Sequence, residues 1–366
     1  MTQKTATSLI RPALEEVPNY KPGKPPAAVD GLQPYKLSSN EHFLPPISAV
    51  VEALTEVTNP ATYPDPAAKA LTAELANYLQ VSEDHVAVGA GGSEIITALA
   101  HITLEAGSEV IYPWPSFELY PQASALNGAH KKPIGLTDDF GHDLPAMAQA
   151  ITDDTRLILL CSPNNPTGPA VTADEFTTFM AQVPSDVLVV LDEAYWEFCT
   201  DASAVDSLAM LKHYENLVLM RTFSKAHALA GFRIGYAVGQ PEVIAAVRKA
   251  TVPFGVTPPS QHAAIVSLRH VDQVMTRAHS IAAARDEFVD ALRAQGWNVP
   301  DSQANFVWLP LAEHSAAFEE ACVKQSLAVR NLNSGVRISI GPPEAMDRVL
   351  NVAARFRQRH FSTNKV

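Results

Sequence analysis

The feature that most constrains this chain is a recurrence of short apolar runs without polar alternation. Val86 to Val88, Val110 to Tyr112, Leu157 to Cys161, Val187 to Leu191 and Leu217 to Met220 each read as a strand, with helix-compatible segments between most of them. A strand with one wet face alternates apolar and polar residues, so these runs mark strands buried on both faces. That pattern gives an α/β fold, a mostly parallel sheet between helices. A further run, Ile234 to Val238, reads the same way. After about residue 270 a long amphipathic helical stretch leads to the shorter strands NFVWLPL, LAVRNL and VRISIG, which mark a smaller α+β unit. The expected organisation is an N-terminal arm over 1–45, a large domain over 46–270 and a small C-terminal domain over 271–366. Eight prolines in residues 12–46 make the arm extended. Asp65-Pro66 reads as an N-cap and first helical residue, followed by Leu71, Leu75 and Leu79 on one helix face.

A chain of 366 residues is long enough for two domains. A net charge of −12 argues against nucleic acid, because no basic excess is available to neutralise phosphates. Cys161, Cys199 and Cys322 lie far apart, as expected of reduced thiols rather than a disulfide frame or a metal site. The N-terminus lacks a signal-peptide core, and no apolar run reaches membrane-span length. A cytoplasmic enzyme without a membrane partner is the expectation.

Chemistry concentrates where the strands end, the edge at which open α/β sheets bind ligands. Lys225 follows the run 217–220 and is placed to form an imine with an aldehyde. Thr222, Ser224 and Arg233 surround it in sequence and suit a phosphate, since arginine forks onto phosphate oxygens. Aldehyde and phosphate together describe pyridoxal 5′-phosphate. GAGGSE at 89–94 lets backbone N–H groups approach an anion at a helix N-terminus, with capping by Ser93 as the plain alternative. A dinucleotide fingerprint fails there, because Glu94 stands at the last glycine. DEAY at 192–195 puts a carboxylate at the end of a buried strand, costly unless a cation meets it. Asp192 could hold a pyridine nitrogen protonated and Tyr195 could bond a phenolic oxygen; an N-cap role for Asp192 and a magnesium-binding acidic pair are the rivals. Asn165, in the turn SPNNPTG, could project its amide into a pocket. Phe117, in PWPSFELY, could stack on a flat ring or be ordinary core.

In their order, GxGGSE, PSF, SPNNPTG, DEAY and SKAxALAGxRxGY resemble the fold-type I pyridoxal-phosphate enzymes of the class I/II aminotransferases. The likeness is greatest to the histidinol-phosphate aminotransferase branch with its aromatic amino acid aminotransferase relatives. It runs from SSNE at 38–41 to VRISIG at 336–341. The resemblance implies that Lys225 carries the cofactor and that Asp192 pairs with its pyridine nitrogen. Tyr195 and Asn165 would meet its phenolic oxygen, and Phe117 would stack on its ring. Gly92, Ser93, Thr222, Ser224 and Arg233 would hold its phosphate. Tyr63 matches a tyrosine lent to the partner subunit of a homodimer, Arg337 an arginine that clamps the substrate carboxylate, and Tyr20 an arm residue covering the pocket. The chain departs from the family's NENP near the arm, reading NEHFLPP at 40–46.

Such a site admits transamination, another pyridoxal-phosphate reaction such as decarboxylation, β-elimination or racemisation, or a non-catalytic regulator. The last is disfavoured, because the first forty or so residues show no helix-turn-helix pattern. Between aromatic amino acids and histidinol phosphate as amino donors, VPFGVTPP at 252–259 decides for the former, offering Phe254 and Val256 and no Lys, Arg or Tyr. Trp114, Phe117, Tyr120 and Phe43 could add apolar ring surface. Phenylalanine and tyrosine are the expected donors, with 2-oxoglutarate as acceptor.

Overall fold

The structure is a computed structural model, and it describes Leu14, Val17 and residues 22–56 and 61–361. Its strands are β1 Tyr35–Lys36, β2 Val86–Gly89, β3 Glu109–Trp114, β4 His130–Gly135, β5 Thr155–Cys161 and β6 Leu188–Asp192. They continue with β7 Leu217–Thr222, β8 Gly235–Val238, β9 Phe306–Leu309, β10 Leu327–Ala328, β11 Arg330–Asn331 and β12 Val336–Ser339. Among the described residues the largest sheet has seven strands, ordered β2-β8-β7-β6-β5-β3-β4. Its neighbours pair in parallel except at β8, which runs against both β7 and β2. The expected mostly parallel α/β sheet is therefore present, with β8 as its one reversed strand among the described residues.

The apolar runs show no polar alternation because both faces are packed. Val190, Val218 and Met220 belong to one core cluster, together with Ile95 and Leu99 of the helix Gly92–Thr103. Val189, Leu191, Leu217 and Leu219 belong to the cluster on the opposite face, with Leu71 and Leu75 of the helix Lys69–Leu79. Leucine at four-residue spacing makes that helix amphipathic, as the sequence indicates. Its start differs from expectation. The helix begins at Lys69, and Asp65 instead accepts the N–H groups of Ala67 and Lys69 at 3.1 and 3.0 Å. The carboxylate closes a turn ahead of the helix because Ala68, in the left-handed region at φ 44°, interrupts the helical path.

Two polar residues sit inside this frame. Glu193 and Arg221 flank Asp192 and Thr222 in the chain and pair at 2.8 Å, both almost fully buried. The arginine also lies over the Trp196 ring, 4.1 Å from its centroid. Strand alternation sends this pair to the face opposite Asp192 and Thr222, so it ties the ends of β6 and β7 together from behind.

The C-terminal part carries the sheet β11-β12-β9 and the helices Val271–Ala294 and Pro343–His360. β1 joins it rather than the large sheet, pairing in parallel with β10. The backbone N–H of Leu37 continues that contact to the Ala328 carbonyl, and the Leu37 carbonyl accepts from Ser339. Residues 35–40 thereby reach the strand ends of the large sheet while anchored on the smaller unit. No helix among the described residues is long and apolar enough to cross a membrane.

Candidate active site

The reversal of β8 decides what meets at the sheet edge. Its first residue, Gly235, stands beside Thr222 at the end of β7 and Gly89 at the end of β2. The turn after β2 folds back over this point. A Cβ on Gly235 would lie 2.4 Å from the Gly92 nitrogen and 2.5 Å from the Gly91 carbonyl carbon. Only glycine allows that approach of two backbones. Gly91 itself has φ +88°, and a Cβ there would meet the Arg233 guanidinium at 2.4 Å. The guanidinium is thus pressed against the turn that opens the helix Gly92–Thr103. Ser93 is the second residue of this helix, and Gly91 is its cap. Glu94 turns its carboxylate back onto the backbone, accepting the N–H groups of Ala90 and, at 2.8 Å, Val252.

Across from the helix start, the Thr222 hydroxyl accepts the Ser224 N–H at 3.1 Å and lies 2.9 Å from the Ser224 hydroxyl. Arg233 donates to the Ala230 carbonyl at 3.0 Å and reaches Ser224 Oγ at 3.5 Å. Helix N–H groups, two hydroxyls and a guanidinium converge as an anion cradle.

Next along the edge lies Asp192, the last residue of β6, 3% exposed. Burial pushes its carboxyl up to about 6, although the Tyr120 hydroxyl opposes the rise by donating to Oδ2 at 2.8 Å. Oδ1 accepts the Ala194 N–H at 3.1 Å. A buried carboxylate with an elevated pKa favours a cationic neighbour. Lys225 faces the same space. Burial, reinforced by the Arg337 charge, brings its amine down to about 8, so about half is neutral at that pH. Its Nζ donates to the Ser39 carbonyl at 3.3 Å and lies 5.6 Å from the Tyr195 ring centroid.

The remaining wall comes from both parts of the chain. Asn40, at φ 53°, donates from Nδ2 to the Tyr195 hydroxyl at 2.9 Å, and its Oδ1 accepts from Ser339 at 3.0 Å. Burial holds the Tyr195 phenol well above its ordinary value. Arg337, in β12, donates to Asn165 Oδ1 and, at 2.9 Å, to the Ser38 carbonyl. The neighbouring Asn164 accepts from Ser116 at 2.8 Å, which locks the turn carrying Phe117 to the turn carrying Asn165.

One cavity of about 470 Å³ collects Gly92, Ser93, Phe117, Asn165, Asp192, Tyr195, Thr222, Ser224, Lys225 and Arg233. A second of about 90 Å³ adjoins it, sharing Ser39, Phe117, Asn165, Tyr195 and Lys225 and adding Arg337, Arg330 and Glu118. Tyr63 lies apart, 82% exposed, its ring 4.9 Å from that of Phe254. Tyr20 lies outside the described residues. Of the aromatics considered for the substrate pocket, Phe117 lines both cavities and four line neither: Tyr120 is fully buried with its hydroxyl on Asp192, Trp114 and Phe43 are 40 and 41% exposed, and Phe254 packs on Tyr63. The sequence reading missed Tyr120 as a partner of Asp192, Asn40 as a partner of Tyr195, and the Glu118–Arg330 pair. The SSNE stretch offered the one signal, since asparagine tolerates the left-handed conformation that Asn40 adopts.

The residues fit pyridoxal 5′-phosphate: an amine of lowered pKa, a buried carboxylate that favours a cation and an anion cradle line one cavity. The geometry thus describes a pyridoxal-phosphate enzyme. The pattern of the family Aminotransferase class I and II matches residues 33–352. An aromatic amino acid aminotransferase of Streptomyces coelicolor is 48% identical over 95% of this chain and 98% of that protein. One from Thermobifida fusca is 43% identical over 96% and 98%. The solved structure of a histidinol-phosphate aminotransferase from Sinorhizobium meliloti, in complex with pyridoxal 5′-phosphate, superimposes with a TM-score of 0.85 at 25% identity, over 97% of this chain and 99% of that one. The chain belongs to the class I and II aminotransferases, and it is a pyridoxal-phosphate-dependent aminotransferase acting on amino and 2-oxo acids.

Proposed function

We propose that this chain moves the amino group of phenylalanine and tyrosine to 2-oxoglutarate. The observation that carries the reading is the single cavity that joins the Lys225 amine, the Asp192 carboxylate and the anion cradle, in a chain 48% identical to an aromatic amino acid aminotransferase. Bound there, pyridoxal 5′-phosphate supplies an electron sink for the pair left when the substrate Cα loses its proton. Gly92, Ser93, Thr222, Ser224 and Arg233 would hold its phosphate, Phe117 would cover its ring, and Tyr195 and Asn165 would meet its phenolic oxygen. Asp192 would keep the pyridine nitrogen protonated. Lys225 would be the attachment point for the cofactor aldehyde, and its amine would serve as the acceptor for the substrate Cα proton. A pKa of about 8 suits that task, leaving enough neutral amine near neutral pH and enough basicity to accept a proton. Arg337, fixed by Asn165 and the Ser38 carbonyl, forks onto the substrate carboxylate.

Phenylalanine and 2-oxoglutarate should yield phenylpyruvate and glutamate in equal amounts. Release of carbon dioxide or ammonia instead would assign a different reaction to the same site. The kcat/KM for phenylalanine should exceed that for histidinol phosphate. A preference for histidinol phosphate of about a hundredfold, about 2.7 kcal/mol, would overturn the substrate assignment.

The second part of the reading concerns assembly. Tyr63, Phe254 and Val252 are exposed at 82, 42 and 65% and form an apolar patch around the Tyr63–Phe254 ring contact. Tyr63 lines neither of the two site cavities of its own chain, which supports its being lent to a second copy in an isologous homodimer. Sedimentation should give a dimer, with Tyr63→Ala weakening cofactor retention. A monodisperse monomer with full activity would contradict it.

A further inference from the structure

We propose that Asn40 is a positioning residue for the cofactor's phenolic oxygen: its side-chain amide turns the Tyr195 hydroxyl proton into the cavity. The inference rests on the placement of Tyr195 proposed above and extends it to what aims that hydroxyl. Asn40 is 1% exposed and holds the left-handed conformation, at φ 53°. Its backbone N–H donates to Ser339 Oγ at 2.9 Å, and its carbonyl accepts from Asn305 Nδ2 at 3.2 Å. Its Oδ1 accepts from Ser339 Oγ at 3.0 Å, and its Nδ2 donates to Tyr195 Oη at 2.9 Å.

These bonds fix which end of the amide faces the phenol. A serine hydroxyl has one proton to give. Ser339 Oγ already receives the Asn40 backbone N–H, and its own proton goes to Asn40 Oδ1. The amide oxygen is thereby held on the β12 side and its NH2 on the Tyr195 side. Burial keeps the phenol protonated, and because Oη accepts from Asn40 its proton must point elsewhere. The ring cannot follow, since Phe306 packs edge-on against it with centroids 5.1 Å apart. The charged and titratable groups around the phenol are Asp192, Cys161, Arg337 and Lys225, from β6, β5, β12 and the turn after β7. A proton aimed into the cavity that Tyr195 shares with Lys225 meets the phenolic oxygen. Such a bond draws off negative charge that would otherwise hold a proton on the Lys225 nitrogen, so that proton leaves at lower pH. Ser339 lies two residues beyond Arg337 on the same face of β12. The strand that presents Arg337 to the substrate therefore also aims the Tyr195 proton.

The test reads the pH midpoint of the bound cofactor's near-visible absorbance in the holoenzyme. Asn40→Asp keeps the shape and tolerates the left-handed backbone, but it offers Tyr195 an acceptor, which turns the proton away from the cavity. The midpoint should rise by at least about half a pH unit, the size set by one hydrogen bond. An added charge or a loosened fold would act whether or not residue 195 carries a hydroxyl. More than half of the rise should therefore vanish when Asn40→Asp is made in Tyr195→Phe. A smaller rise, or one that keeps more than half its size in Tyr195→Phe, would overturn the proposal. If Asn40→Asp folds poorly, Ser339→Ala read on the same two backgrounds serves in its place, because it frees the amide to turn its oxygen towards Tyr195. A midpoint that Tyr195→Phe alone leaves unmoved would instead sink the placement of Tyr195 itself.

Discussion

Lys225→Ala should lower kcat by at least about 10⁴-fold while leaving the protein folded, since it removes both the attachment point and the proton acceptor at Cα. The structure explains why folding survives. Lys225 is an ammonium-bearing side chain inside the cavity wall, and burial is the main reason its amine is brought down to about 8. That lowered pKa means the unfolded chain binds the lysine proton more readily. The group therefore works against folding below its folded pKa, and the burden lifts as pH rises from about 8 towards the ordinary value of 10.5. Replacing it with alanine removes the burden. At pH 7 the apo variant should unfold at higher urea than the apo wild type, with the gap closing above pH 10. Inactivity joined to lower stability throughout would indicate a structural lysine instead.

Asp192→Asn should cost about 10²- to 10³-fold in kcat, the loss seen when one preorganised electrostatic group is removed from a reacting centre. An amide offers no charge to keep the pyridine nitrogen protonated. The stability effect has the opposite sign. Burial raises the Asp192 carboxyl from 3.8 to about 6, so its favourable contribution is complete below the unfolded pKa and is lost as pH climbs through about 6. At about 1.4 kcal/mol for each pH unit, the cofactor-free protein at pH 8 carries a burden of about 3 kcal/mol from this group. Asp192→Asn should relieve most of it, because the amide is neutral and can still accept from Tyr120. The variant should therefore be more stable than wild type without cofactor and gain less stability when cofactor is added. Urea titrations of both proteins, with and without pyridoxal 5′-phosphate, measure the two signs separately. A variant less stable than wild type in the cofactor-free form would contradict this account of the carboxylate.

The parts of this site that the sequence made legible are those set by chain-local rules. Asp192 follows its apolar run directly, and Thr222, Lys225 and Gly92 lie two to five residues past theirs, so a strand that ends in chemistry can be recognised one segment at a time. The reversed direction of β8 has no such local mark, yet it places Arg233 and Gly235 at the ends of strands that run the other way. Tyr120 reads as core in any window of sequence. Its hydroxyl finds Asp192 only because the helix Leu119–Leu126 packs on that face of the sheet. Glu193 and Arg221 are charged residues inside otherwise apolar segments, and each is tolerable only because the neighbouring strand supplies the other. Asn40 and Arg330 reach the site through contacts spanning long stretches of chain, 155 residues to Tyr195 and 212 to Glu118. Asp65 shows the limit of local signals from the other side. Its capping chemistry is real, but it is spent on a turn that starts four residues ahead of the helix it was expected to open.

The central claim is that the Lys225 amine is where the cofactor attaches. Borohydride reduction of the holoenzyme, followed by proteolysis and mass spectrometry, tests it directly. The account predicts the reduced pyridoxyl group on the peptide containing Lys225, with the label absent from Lys225→Ala. A label on any other lysine, or one that persists in Lys225→Ala, would contradict it.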